Sequence, residues 1–105
     1  MKALSKLFFM VTLVCGILSI SAFADVDKGQ KIFGKELKNA CGFSGNVMAR
    51  KYKQSEWKDI FESGKLNEEL MKQCPNAKPL KNSDIQHVYD FLYNYAIDSG
   101  NTATC

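Results

Sequence analysis

Residues 28–45 read KGQKIFGKELKNACGFSG, and this stretch contains the pattern that decides the fold. Its apolar residues recur at the spacing of one helical face: Ile32, Phe33, Leu37 and Ala40. Asp27 is a suitable N-cap just before the stretch, while Gly42 and Gly45 bracket a tight turn near its end. The stretch therefore predicts a helix from Asp27 to about Asn39 that buries one apolar face.

The rest of the chain also reads as helical, because no segment alternates apolar and polar residues with the period of a strand. Val47 and Met48 lie in a predicted short helix or single turn. Three further helices are expected after the capping residues Ser55, Asn67 and Ser83. Pro75 to Asn82 is predicted as a linker. The last helix carries the longest apolar stripe: Ile85, Val88, Tyr89, Leu92, Tyr95 and Ala96. These patterns predict an all-α fold.

Residues 1–24 have the layout of a signal peptide. Two lysines precede the apolar run from Leu7 to Ile20, and the small-residue site Ala22-Phe23-Ala24 follows it. A membrane anchor is the alternative, but the run is short for a bilayer span. A lipoprotein modified at Cys15 is a further alternative, which Val14 disfavours. We expect cleavage after Ala24, with no stable membrane anchor afterwards.

Cleavage leaves residues 25–105, a single domain of 81 residues with 12 basic and 11 acidic side chains. A domain of this size is only marginally stabilised by its hydrophobic core, so a covalent cross-link is useful. The near-neutral charge, without a basic stripe, argues against a nucleic-acid partner.

Three cysteines remain after cleavage: Cys41, Cys74 and Cys105. Because an exported chain reaches an oxidising compartment, we expect one disulfide. The entropy of loop closure does not separate the possible pairings, each of which gives roughly 4 kcal/mol. We favour Cys41 with Cys74 and leave Cys105 spare, because terminal segments are usually mobile. The two pairings that involve Cys105 stay open.

Three pieces of the chain occur in an order that resembles the small monohaem cytochrome c family over nearly the whole of residues 25–105. These are Gly29 to Phe33, Glu56-Trp57, and Ser83 to Ala96. The resemblance implies a small cytochrome c-like bundle of about four to five helices, with the N- and C-terminal helices crossing. It also implies the periplasm of a Gram-negative bacterium.

The resemblance fails at the haem-attachment motif. That motif needs two thiols followed by an iron-binding histidine. Cys41 stands where the second thiol belongs, but Lys38 replaces the first thiol and Gly42 replaces the histidine. The sequence therefore predicts no covalent haem and no cofactor.

Two alternative sites use the soft and imidazole ligands of the chain. Atypical haem binding would draw on Cys41, Met48, Met71 and His87. Copper would draw on the two methionines with Cys41 and Cys74. We disfavour both alternatives: His87, the only histidine, is expected on an exposed face, and the other residues suit a core or a disulfide.

No arrangement of residues predicts an enzyme, since no two cysteines lie close in sequence and no nucleophile has a context that pairs it with the histidine. Phe43, Phe91 and Tyr93 are the candidates for an exposed patch that contacts a partner. We therefore expect an exported, non-catalytic accessory or binding protein, whose partner is another periplasmic protein or a small ligand. The alternative function is a periplasmic electron carrier with atypical haem binding.

Overall fold

The computed structural model describes residues 25–101, and all regular structure in this range is helical. The helices are α1 (25–36), α2 (Lys38–Cys41), α3 (Gly45–Ala49), α4 (Gln54–Glu62), α5 (Leu66–Gln73) and α6 (Asn82–Asn94). The all-α prediction is confirmed, and the one-turn helices α2 and α3 bring the number to six in the described range. The predicted signal peptide and Cys105 lie outside the described residues. Between residues 25 and 101, no helix has the length and apolar character needed to cross a bilayer.

Helices α1 and α6 cross at Gly29. A Cβ atom built on this buried glycine would lie 1.9 Å from the backbone oxygen of His87 and 2.9 Å from the Cβ of Phe91. Only a residue without a side chain allows the two backbones to come this close. The glycine of the first helix therefore fixes where the last helix lies.

Helix α3 also packs at this crossing, because its first residue, Gly45, lies against the side chain of Phe91. A Cβ on Gly45 would lie 2.7 Å from the Phe91 ring and 3.2 Å from the Phe33 ring. The rings of Phe33 and Phe91 lie 6.5 Å apart between centroids. Two glycines and two phenylalanines thus join α1, α3 and α6.

The core is a continuous cluster of buried apolar residues. Its largest members are Trp57, Phe33, Phe91, Leu37, Met48, Leu66, Leu70 and Leu92. The indole Nε1 of Trp57 donates a hydrogen bond to the carbonyl oxygen of Ala49 at 2.9 Å, so the buried ring has no unpaired donor. Tyr52 packs edge-on against the same indole at 4.9 Å.

The predicted end of α4 at Gly64 is confirmed, whereas the predicted N-caps of α4, α5 and α6 are wrong. Gly64 has φ +74°, and the amides of Gly64 and Lys65 donate back to carbonyls of the last turn of α4 at 3.0 Å, as in a Schellman motif. Helices α4, α5 and α6 each begin one residue before the predicted cap, and their N-cap positions are held by Lys53, Lys65 and Lys81. The first helix likewise includes residues 25 and 26.

The segment after α6 folds back on the start of α4. The amide of Ile97 donates to the carbonyl of Tyr52 at 3.1 Å, and the amide of Gln54 donates to Oδ1 of Asp98 at 2.8 Å. The Gln54 side chain also donates to the carbonyl of Tyr93 at 3.0 Å. These bonds hold the described part of the C-terminal segment against the bundle.

Candidate functional site

The disulfide joins Cys41, the last residue of α2, to Cys74, the residue that follows α5. The two Cα atoms lie 4.7 Å apart, within the normal range for a disulfide. The predicted pairing is therefore present in the structure. Cys74 is 1% exposed and belongs to the core cluster, and Cys41 packs against it from a half-buried position.

A surface groove lies beside this disulfide. One wall comes from the end of α1 and from α2: Lys35, Glu36, Asn39 and Ala40. The other wall comes from the linker and the start of α6: Asn76, Lys78, Pro79, Leu80, Lys81 and Asp84. The groove has a volume of about 400 Å³. The first wall directly precedes Cys41 in the sequence, and the second wall follows Cys74. The disulfide between these cysteines therefore holds the two walls together.

The linker wall is shaped by Asn67. Its side-chain Nδ2 donates to the carbonyl of Leu80 at 3.1 Å, and its Oδ1 accepts from the amide of Leu80 at 2.8 Å. The predicted role of Asn67 as a helix cap is wrong, because its amide pairs with a linker residue 13 positions away. At the other end of the linker, the amide of Ala77 donates to the carbonyl of Cys74 at 2.9 Å. These bonds fix a segment that starts with a turn and has no helix or strand of its own.

Charged groups of both signs line the groove, with lysines in excess. The lining includes three lysines, Lys35, Lys78 and Lys81, and two acidic residues, Glu36 and Asp84. No pattern in the sequence predicts that these lysines lie together. Lys35 lies about 40 positions from the other two, so no short motif joins them. Only the fold brings them to one groove.

The residues proposed for atypical haem binding, Cys41, Met48, Met71 and His87, lie in different surroundings in the structure. The sulfur of Cys41 is bonded to Cys74, so it has no thiol to add to a porphyrin vinyl group. Met48 is 0% exposed within the core, and Met71 is half-buried. Within residues 25–101, no three His, Cys, Asp or Glu side chains are grouped so that they can hold a metal ion. The alternative copper site loses both of its cysteines to the same disulfide.

His87 is not on an exposed face, contrary to the prediction. Its side chain is 20% exposed, and Nδ1 is buried 3.3 Å from Oδ1 of Asp25. That Nδ1 forms no hydrogen bond with described residues, since the carboxylate is near but does not meet hydrogen-bond geometry. The crossing at Gly29 brings the backbone of His87 against α1, and Asp25 of the same helix lies beside the histidine ring.

The predicted aromatic patch is wrong at its centre, because Phe91 is 0% exposed and lies in the core. Its spacing from Val88 and Tyr95, three residues before and four after, is the helical signal that should have placed it there. Phe43 is half-buried beneath the ammonium of Lys51, 5.0 Å from the ring centroid. Of the three predicted residues, only Tyr93 is exposed, at 37%.

Among residues 25–101, three titratable groups have a pKa raised from its ordinary value. The hydrogen bond from Tyr52 to the Glu69 carboxylate is the main cause that raises the pKa of Tyr52. Burial raises the pKa of Tyr89, whose ring stacks on Phe61 at 4.0 Å. Burial also raises the pKa of Asp90; a hydrogen bond from Gln86 opposes the rise, the charge of Asp25 adds to it, and that of His87 reduces it.

Comparison of the chain with protein-family models, with curated proteins and with solved structures gave no significant match. The resemblance to cytochromes c therefore stays a prediction from the order of three sequence pieces.

Proposed function

We propose that this chain is an exported, non-catalytic binding protein that takes a small organic anion in the groove between α1–α2 and the linker. The observation that carries the proposal is the disulfide between Cys41 and Cys74. It occupies the sulfur of Cys41, which stands at one of the two thiol positions of the haem-attachment motif, and it joins the two walls of the groove.

The size and lining of the groove suit a small molecule. Its volume of about 400 Å³ lies in the range of small-molecule sites, which is roughly 300–1,000 Å³. Ala40, Pro79 and Leu80 supply apolar surface, and the lysines supply ammonium donors. A ligand with a carboxylate and a compact apolar body matches both parts of the lining.

The chemical groups in the groove support binding rather than catalysis. The only histidine of the chain is His87, which does not line this groove, and both nearby cysteines are oxidised. The groove therefore has neither the imidazole nor the thiolate that most general-base or nucleophilic mechanisms use. Asn39 and Asn76 add amide groups that suit hydrogen bonding to a ligand.

Export and the periplasm belong to the same proposal. A disulfide with one partner in the core persists in an oxidising compartment and is rare in the reducing cytosol. The layout of residues 1–24 supplies the route. The second function, an electron carrier with atypical haem, has no support from the positions of Cys41, Met48 and His87.

The test of ligand binding is a titration followed by amide NMR of the chain that begins at Asp25. Benzoate is the probe, and benzamide is its neutral counterpart of nearly equal shape. We expect benzoate to shift amides in residues 35–40 and 76–84 and benzamide to shift them much less. The double variant Lys78→Met, Lys81→Met removes the effect, whereas the control Lys58→Met, on α4 outside the groove, keeps it.

Two results would contradict the proposal. One is a benzoate response that is absent or spread evenly over the surface, or that is unchanged in the double variant. The other is an exported protein that carries a porphyrin absorption band after denaturation, since this would place haem on the chain. The intact mass of the exported protein reports the cleavage site and the oxidation of the cysteines in the same measurement.

A further inference from the structure

The ion pair between His87 and Asp25 joins the last helix to the first turn of α1. Nδ1 of His87 lies 3.3 Å from Oδ1 of Asp25. The histidine side chain is 20% exposed, so the ring can exchange a proton with water although Nδ1 itself is buried. Histidine is the side chain whose charge ordinarily changes between about pH 5 and pH 8. The attraction within this pair therefore depends on pH over that range.

The surroundings of Nδ1 suit the protonated ring better than the neutral one. When the neutral ring carries its proton on Nε2, the lone pair of Nδ1 lies beside a carboxylate that can only accept. When the neutral ring carries its proton on Nδ1, no hydrogen bond of normal geometry forms with the described residues. A protonated ring attracts the carboxylate by its charge, and this attraction does not depend on the hydrogen-bond angle.

The other charged groups on the same face of α6 are also acidic. Asp90 follows His87 by three positions, a spacing at which helical side chains are neighbours. Burial is the main cause that raises the pKa of Asp90, the charge of Asp25 adds to the rise, and that of His87 opposes it. Asp84 precedes His87 by three positions and lines the groove. A positive charge on the ring therefore lies among carboxylates.

Helix α1, which packs against His87, supplies no cation that competes for this place within residues 25–101. Lys28, one turn after Asp25, is exposed and forms no ion pair with the described residues. Lys31 pairs with Asp27 at 3.1 Å, and both side chains are largely exposed. The charge of the imidazole is therefore the one that changes the attraction between the first turn of α1 and α6.

We propose that Asp25, His87 and Asp90 form a pH-sensitive clasp, in which protonation of His87 holds the first turn of α1 against α6. A neutral ring leaves two carboxylates near each other without a cation, and the first turn loosens. The crossing at Gly29 keeps the rest of α1 in place, because the two backbones are in contact there. The inference is independent of the groove, whose first wall begins at residue 35.

The test is amide hydrogen exchange of the exported protein, followed by NMR from pH 5 to pH 8. The amides of residues 28–31 are the first in α1 that can donate within the helix, so their protection reports the order of the first turn. We expect protection factors about two- to fivefold higher at pH 5 than at pH 8, as for a partly exposed ion pair. The ring resonances of the single histidine must change over the same pH range.

Four variants identify the groups that cause this difference. Asp25→Asn and His87→Gln should each abolish the difference between pH 5 and pH 8, and Asp90→Asn should reduce it. Asp27→Asn is the control on the same helix and should keep the difference, because Asp27 pairs with Lys31. Asp25 is 43% exposed, so its variant keeps the fold even if the histidine variant does not.

The amine created by cleavage after Ala24 needs a separate control, since such amines titrate near about pH 8. A chain that starts at Phe23 carries its amine two residues away and is measured beside the exported protein. A difference that persists in both chains supports the clasp. A difference found only in the chain that starts at Asp25 belongs to the amine and overturns the clasp. Equal protection at pH 5 and pH 8, or a difference that survives Asp25→Asn, overturns it as well.

Discussion

Replacing Gly29 with alanine tests the crossing of α1 and α6. The added Cβ would lie 1.9 Å from the carbonyl oxygen of His87 and 2.6 Å from its carbonyl carbon. A carbon normally approaches a carbonyl oxygen to about 3.3 Å, so the helices must separate locally by about 1.4 Å. Both contacts are with backbone in the middle of a helix, and therefore no side chain can rotate away to relieve them.

The expected cost follows from two opposing effects. Overpacking a tight contact destabilises a protein by about 1–3 kcal/mol, and a backbone obstacle belongs at the upper end of that range. Alanine recovers at most about 1 kcal/mol through its better helix propensity. We expect a net loss of about 2 kcal/mol, which lowers the melting temperature of a domain this small by about 8–16 °C.

Gly34 is the matched control, because it lies in the same helix and a Cβ there meets nothing within 4 Å. Gly34→Ala should therefore raise the free energy of unfolding by about 0.5–1 kcal/mol. Urea denaturation followed by circular dichroism measures both variants against the unchanged chain. A Gly29→Ala variant as stable as the unchanged protein, or a Gly34→Ala variant less stable than Gly29→Ala, would refute the close approach of α1 and α6 at Gly29.

Three further predictions concern the bonds around the core. Changing Cys41 and Cys74 together to serine opens a loop of 33 residues and should lower the free energy of unfolding by about 4 kcal/mol. Urea denaturation measures this loss, and a loss below about 1 kcal/mol would contradict the prediction. Trp57→Phe leaves a buried carbonyl of α3 without its donor and should lower the free energy of unfolding by about 1–3 kcal/mol, which thermal unfolding measures. The hydrogen bond to Glu69 raises the pKa of Tyr52 above 10.0, so the stability it adds is complete below pH 10 and is lost as the pH rises through the folded-state pKa. The stability gap between the unchanged protein and Tyr52→Phe should therefore narrow above pH 10 in urea titrations, and a gap that widens there would refute the assignment.

The fold class could be read from the sequence because it depends on local patterns. Apolar residues at helical spacing placed the stripes of α1 and α6, and Gly64 ended α4 as expected. The helix starts were less accurate. Polar residues such as Ser55 and Asn67 are common caps, but in this structure the helices extend past them, and the side chain of Asn67 binds Leu80 instead.

The disulfide was predicted on weak grounds, and the groove beside it was not predicted at all. Both depend on contacts between distant parts of the chain, which local patterns do not encode. Phe91 is the instructive error. Its spacing from Val88 and Tyr95 is compatible with burial, and two glycines, Gly29 and Gly45, bring α1 and α3 against this side chain. The sequence around Gly29 and Gly45 contains no pattern that predicts these close helix contacts.

The positions of the cross-links explain why the groove is suited to binding. The first wall, residues 35–40, lies between the crossing at Gly29 and the disulfide at Cys41. The second wall lies between Cys74 and the start of α6, with Asn67 holding it at Leu80. Each wall is therefore fixed on both sides before any ligand arrives.

A site fixed in advance loses little conformational freedom on binding, and this lowers the free-energy cost of association. The lysine side chains themselves are mobile, so only the backbone of the groove can be fixed before the ligand binds. The affinity for the ligand therefore depends on how firmly that backbone is held. Opening the disulfide should therefore weaken benzoate binding even though none of the lining residues has changed. Binding that survives unchanged in folded protein with Cys41 and Cys74 replaced by serine would mean that the cross-link stabilises the domain without shaping the groove.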